Sequence, residues 1–72
     1  MIWNKNFIGE NAGIVWRALN NRKMSWEELL KSTGLTPLEL ASAIGWLARE
    51  NKIYIQPDEN VFYFYLYHEN YF

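Results

Sequence analysis

Apolar positions in the first third of the chain recur with a helical period. In "NFIGENAGIVWRALNN", Ile8, Ala12, Val15, Trp16 and Leu19 fall at i, i+4, i+7, i+8 and i+11, which is one face of an amphipathic helix. Asn6 is placed to cap its start, and Asn20–Asn21 to stop it. A second helix opens in "MSWEELLKSTG". Ser25 is its N-cap, Glu28 stands three residues on to complete a capping box, Met24 and Leu29 have the spacing of a hydrophobic staple, and Gly34 suits a left-handed C-terminal cap. The third helix repeats the device: Thr36 caps, Pro37 takes the first helical position, Glu39 closes the box, and Leu35 and Leu40 form the staple. After it, "KIYIQ" and "NVFYFYLYH" are rich in β-branched and aromatic residues and are separated by "PDEN", the composition of a hairpin. The short "RKM" ahead of the second helix adds a brief extra strand.

The order helix, brief strand, helix, helix, strand, strand predicts an α+β winged helix-turn-helix, three helices plus a C-terminal β-hairpin wing, as one domain over residues 1–72. The segments "IGENAGIVWRAL", "MSWEELLKSTGL" and "AIGWLARENKI" together resemble the short, stand-alone bacterial winged-helix proteins of unassigned function. The resemblance spans nearly the whole chain. It implies a cytoplasmic winged helix, compatible with a dimer, and it implies DNA binding only by analogy of fold.

On a helical wheel, Leu40, Ala41, Ile44, Leu47 and Ala48 of the third helix make the side expected to face the core, and Leu38, Glu39, Ser42, Gly45, Trp46 and Arg49 make the outward side. In a winged helix the outward side enters the major groove. The candidate nucleic-acid contacts are Thr36, Ser42, Gly45, Trp46 and Arg49 on this helix, Lys52 just after it, and Arg22 and Lys23 before the second helix. Gly45 would permit close approach, while Ser42 and Arg49 could supply hydrogen bonds. Bases are read mainly by Arg, Lys, Asn and Gln, and this helix offers a single Arg.

Charge weakens the DNA expectation. The 72 residues carry a net charge of −1, with a pI near 5.7, whereas a DNA-binding domain is more often basic, with a pI above about 9. Residues 1–25 hold Lys5, Arg17, Arg22 and Lys23 against Glu10, and residues 54–72 hold Asp58, Glu59 and Glu69 with no Lys or Arg. The wing tip "QPDENV" is therefore acidic where phosphate contacts would want cations. Four cations (Arg22, Lys23, Arg49 and Lys52) support only weak, salt-sensitive binding of double-stranded DNA. The ordinary reading of Arg49 and Lys52 is as partners of the negative C-terminal end of the helix. For Arg22 and Lys23 it is a solvated turn.

The aromatic tail is the least ordinary segment. In a strand, Val61, Tyr63, Tyr65 and Tyr67 face one way, and Phe62, Phe64, Leu66 and His68 face the other. So many rings exceed what one small core needs. A chain this short buries only about 60% of its unfolded surface, so a partner chain would help it. The favoured expectation is a homodimer built on Phe62, Tyr63, Phe64, Tyr65 and Tyr67, with Trp3, Tyr71 and Phe72 contributing. The plainer alternative is an amphipathic outer tyrosine face. Stacking of single-stranded bases ranks third, because the tail itself carries no cation.

Catalytic chemistry is not expected. There is no cysteine, one histidine (His68), no metal-ligand spacing and no glycine-rich phosphate loop. No cofactor, metal or small-molecule substrate is implied. No apolar run reaches the roughly 20 residues of a membrane span, and "MIWNKNFIG" lacks a signal core, so a cytoplasmic location is expected. Two readings stand: a nucleic-acid-binding regulator working as a dimer, and a protein-interaction module on the same scaffold.

Overall fold

The computed structural model describes residues 2–67. Helix α1 runs over Lys5–Ala18 and begins at an Asn4 cap, not at Asn6. Asn4 has the extended backbone a cap requires, and its Oδ1 accepts the Phe7 N–H at 3.0 Å. Trp3 fixes this start by packing on Phe7, with ring centroids 5.2 Å apart. The chain turns out of α1 through Asn21, at φ 60, a conformation Asn tolerates better than most residues.

Strand β1, Met24–Ser25, leads directly into α2, Trp26–Thr33. The Glu28 N–H donates to Ser25 Oγ at 3.2 Å, and the Ser25 N–H donates to Glu28 Oε1 at 2.8 Å. The Ser25 backbone N–H, foremost, holds the Glu28 carboxyl below its ordinary value. This stabilisation is therefore present at neutral pH and is lost as acid protonates the carboxylate. Gly34 ends α2 at φ 71, where a Cβ would be strained. The Thr33 hydroxyl donates to Leu29 O at 2.7 Å and accepts the Leu35 N–H at 3.2 Å. Thr36 then caps α3, Pro37–Arg49, with Glu39 N–H to Thr36 Oγ1 at 3.2 Å and Thr36 N–H to Glu39 Oε1 at 2.9 Å.

The wing is β2, Ile53–Asp58, and β3, Val61–Leu66, joined at Glu59–Asn60. The sheet is antiparallel in the order β1-β3-β2, with Met24 opposite Phe64, Ile53 opposite Leu66 and Ile55 opposite Phe64. Glu59 turns the hairpin at φ 57, an unfavourable region for a residue with a Cβ.

The helices pack on one face of this sheet. Their core joins Ala12, Val15 and Leu19 of α1, Leu29 of α2 and Leu40, Ala43, Ile44 and Leu47 of α3 to Met24, Ile53, Phe64 and Leu66 of the sheet. Ala41 and Ala48, expected in the core, are exposed, and Ala43 takes their place. The buried stripe of α3 is 40, 43, 44, 47, the narrow i, i+3, i+4, i+7 pattern of a helix covered on one side. Ile8 is half-buried and Trp16 is exposed, so α1 buries less of its apolar face than its period suggests.

Among the described residues, one polar group is stranded in this interior. Asn11 is 5% exposed, and its Nδ2 has no hydrogen-bond partner. Asn11→Ala removes the orphan donor and installs a better helix former, so it is expected to raise unfolding free energy by about 1 kcal/mol in a urea titration. A fall in stability would show that the amide is satisfied in solution.

Candidate contact surfaces

The residues expected to touch nucleic acid are spread over α3, the segment just after it and the loop before β1. The side of α3 turned away from the core presents Leu38, Ala41, Gly45, Ala48 and Arg49, with Leu38 68% exposed. Gly45 lies open, since an added Cβ would meet nothing within 4 Å. The Ser42 hydroxyl is only partly accessible and donates to Glu39 O at 3.0 Å, within its own helix. The Thr36 side chain and N–H are both committed to the capping box. Trp46 departs from its expected outward position. It is half-buried, packs against the core, and its Cζ2 lies 3.9 Å from where a Gly9 Cβ would stand. Gly9, on the first helix, lies beside this ring, so Trp46 belongs to the α1–α3 seam. Arg49 is left as the single cation on the outward stripe.

The other three cations sit elsewhere. Lys52 Nζ lies 5.4 Å from the Trp16 ring centroid, within cation–π range. Lys23 Nζ stands 5.3 Å from the Tyr63 ring and 5.6 Å from the Tyr65 ring. Arg22 and Lys23 share with Gln56 and Tyr65 the rim of an open depression of about 480 Å³ whose floor includes Leu19 and Leu66. Tyr63 and Tyr65 alternate with the buried Phe64 and Leu66, so they stand on the sheet face turned away from the helices. Tyr54 joins them, with centroids 5.1 Å from Tyr65 and 5.4 Å from Tyr67.

The residues grouped as a candidate dimer surface also divide. Phe64 is 4% exposed and packs near Trp26, at 6.4 Å between centroids, inside the monomer's own core. That burial removes it from any contact surface, and the expectation for Phe64 is corrected accordingly. Phe62 lies two residues nearer the wing tip on the same face, beyond the helices, and is 51% exposed. With Trp26 and Val61 it lines a groove of about 430 Å³ bordered by Glu27 and Glu28. Among the described residues, β3 has no neighbour here on the β1 side, because β1 pairs only with Tyr63 and Phe64. Trp3 is half-buried against Phe7. Tyr71, Phe72 and His68 lie outside the described residues. Sequence reasoning missed Trp16, Tyr54 and Ile55; alternation within "KIYIQ" places Tyr54 on the tyrosine side, but only the register pairs it with Tyr65.

Among the described residues no three of His, Cys, Asp or Glu converge as metal ligands, and no helix is long and apolar enough to cross a membrane.

Three helices, a helix-turn-helix and a hairpin wing define the class. The chain belongs to the winged helix-turn-helix domain family DUF2582, whose model matches residues 3–66. It is 38% identical over 61 residues to the uncharacterised protein MJ1608 of Methanocaldococcus jannaschii, covering 81% of this chain and 84% of that protein. It is also similar to the solution NMR structure of protein BT2368 from Bacteroides thetaiotaomicron, with 40% identity and a TM-score of 0.80, covering 89% of this chain and 79% of that one.

The division between Phe64 and Phe62 is measurable. Phe64→Ala is expected to cost about 3–5 kcal/mol, enough to unfold much of so small a domain. Phe62→Ala is expected to cost about 1 kcal/mol or less in the same denaturation experiment.

Proposed function

We propose that this chain is a non-catalytic winged-helix binding protein that works in the cytoplasm as a homodimer, with α3 contacting protein instead of reading base edges. One observation carries this reading: the outward stripe of α3 is Leu38, Ala41, Gly45 and Ala48, closed by Arg49 alone. Base readout needs donors and acceptors at these positions, and phosphate binding needs cations along the flanking wing. The wing tip instead carries Asp58 and Glu59, both exposed. Homodimer formation is supported by the exposed Ile55, Val61 and Phe62, apolar groups on the part of the hairpin that overhangs the helices.

Duplex DNA binding is the second reading, favoured by the fold family and by Arg49 at the end of the stripe. Fluorescence anisotropy on a mixed-sequence duplex at about 50 mM salt separates the two, since electrostatic affinity is greatest at low salt. The expected result is no binding at micromolar protein. Saturable duplex binding that Arg49→Ala abolishes would replace the first reading with the second.

Sedimentation tests assembly. The wild type is expected at dimer mass, and Phe62→Glu at monomer mass with an unchanged circular dichroism spectrum. A wild type at monomer mass at high micromolar concentration would remove the dimer from the proposal.

A further inference from the structure

The outer face of the sheet combines two features that the sequence keeps apart. One is a cluster of tyrosines at neighbouring pleat positions: Tyr54 across from Tyr65, Tyr67 one pleat further along the strand, and Tyr63 one pleat back. The other is a pair of cations delivered by the loop before β1. Lys23 stands over the Tyr63 and Tyr65 rings, and Arg22 lies beside it on the rim of the depression that Tyr65 and Gln56 also line. The tail contributes no cation of its own; antiparallel pairing of β1 with β3 brings Lys23 to it.

We infer that this face is a binding platform for single-stranded nucleic acid, with the tyrosines stacking bases and Arg22 and Lys23 meeting the backbone. The inference is independent of what α3 contacts, since the platform looks away from the helices. Unpaired bases offer faces to exposed aromatic rings, and a cationic border tracks the phosphates. Duplex DNA presents no unstacked base to such a surface, so the platform selects single strands by their accessible base faces. Tyr63 to Tyr67 spans roughly 13 Å at the usual rise per residue, comparable to sheet surfaces that stack two or three bases. The acidic residues fix where the strand leaves: Asp58 and Glu59 stand at the wing tip, at the opposite end of the hairpin from Tyr67. The path therefore runs across Tyr67, Tyr54 and Tyr65 toward Lys23 and stops short of the tip. Gln56, beside the depression, adds an amide that can both donate and accept a hydrogen bond to a base edge.

Two phosphate contacts give a shallow salt dependence, a slope of log K against log salt near −1.4 for single strands. The test is fluorescence anisotropy with labelled oligothymidine and oligouridine of about ten nucleotides, at several salt concentrations, with a mixed duplex of equal length as control. Both single strands are expected to bind and the duplex not to; a stronger oligouridine signal would mark RNA as the source, a stronger oligothymidine signal DNA. Tyr54→Ala, at an exposed position, is expected to weaken binding about fivefold or more. Lys23→Gln is expected to flatten the salt slope by about 0.7, with both variants retaining the wild-type circular dichroism spectrum. The inference is overturned by no single-strand binding at about 50 mM salt, or by binding that ignores Tyr54→Ala and Lys23→Gln and is lost in Arg49→Ala. It is also overturned if Tyr54→Ala converts a dimer to a monomer while oligonucleotides leave the wild type unbound, since the face would then belong to a second copy of the chain.

Discussion

The turn between α2 and α3 is the constraint on which this molecule depends. Between Thr33 and Pro37 the chain must leave one helix and enter the next without abandoning a backbone donor or acceptor in the interior. It does so locally. Gly34 supplies the left-handed residue at φ 71, the Thr33 hydroxyl ties Leu29 O to the Leu35 N–H, and Thr36 with Glu39 satisfies the first turn of α3. With the entry to α3 fixed, its rotation about its own axis decides which residues are buried. Leu40, Ala43, Ile44 and Leu47 go in, so Leu38, Ala41, Gly45 and Ala48 come out. The composition of the outward stripe is thus a consequence of a turn several residues away.

The sheet adds a second constraint, the alternation of its pleat. Phe64, Leu66 and Ile53 are drawn onto the helices, which forces Tyr54, Tyr63, Tyr65 and Tyr67 to the other side. The tip of the hairpin lies beyond the part that the helices cover. Phe64 is enclosed while Ile55, its cross-strand neighbour, is 43% exposed, and Phe62 beyond it is more exposed still. The strands therefore carry three environments: a sealed inner half, an apolar overhang and an aromatic outer face. Each follows from where the helices stop.

What could be read from the sequence was what is decided within four residues. The two capping boxes, Pro37 at the start of α3 and the Gly34 cap are patterns of local spacing, and they stand where the spacing puts them. Positions with two local solutions are not decided by spacing. Asn4 and Asn6 can both cap a helix, and the choice falls to Asn4, where Trp3 packs on Phe7. The rotation of α3 is ambiguous in the sequence because that helix is apolar nearly all round, so Ala41, Ala43, Trp46 and Ala48 compete for the core on a wheel. The contest is settled by packing against another helix, where Trp46 lies beside Gly9. The position of Lys23 beside Tyr63 and Tyr65 depends on pairing between β1 and β3, across nearly forty intervening residues, and no window along the chain contains it.

That long-range pairing also changes how the net charge should be weighed. A chain at −1 looks unsuited to a polyanion when its charges are summed, but binding responds to the local field within about one Debye length, roughly 8–10 Å at ordinary salt. The fold sorts the charges along the hairpin. Asp58 and Glu59 are carried to the tip, and Lys23 is held over two rings nearer the base. Arg49 remains alone at the end of an otherwise small and apolar helix face. A lone cation beside exposed alanines and glycine gains little from phosphate that water does not already give it, whereas in the inferred platform a cation beside tyrosine rings engages a backbone while the rings hold its bases. On the readings proposed above, the back of the sheet is the nucleic-acid face and α3 the protein-docking face.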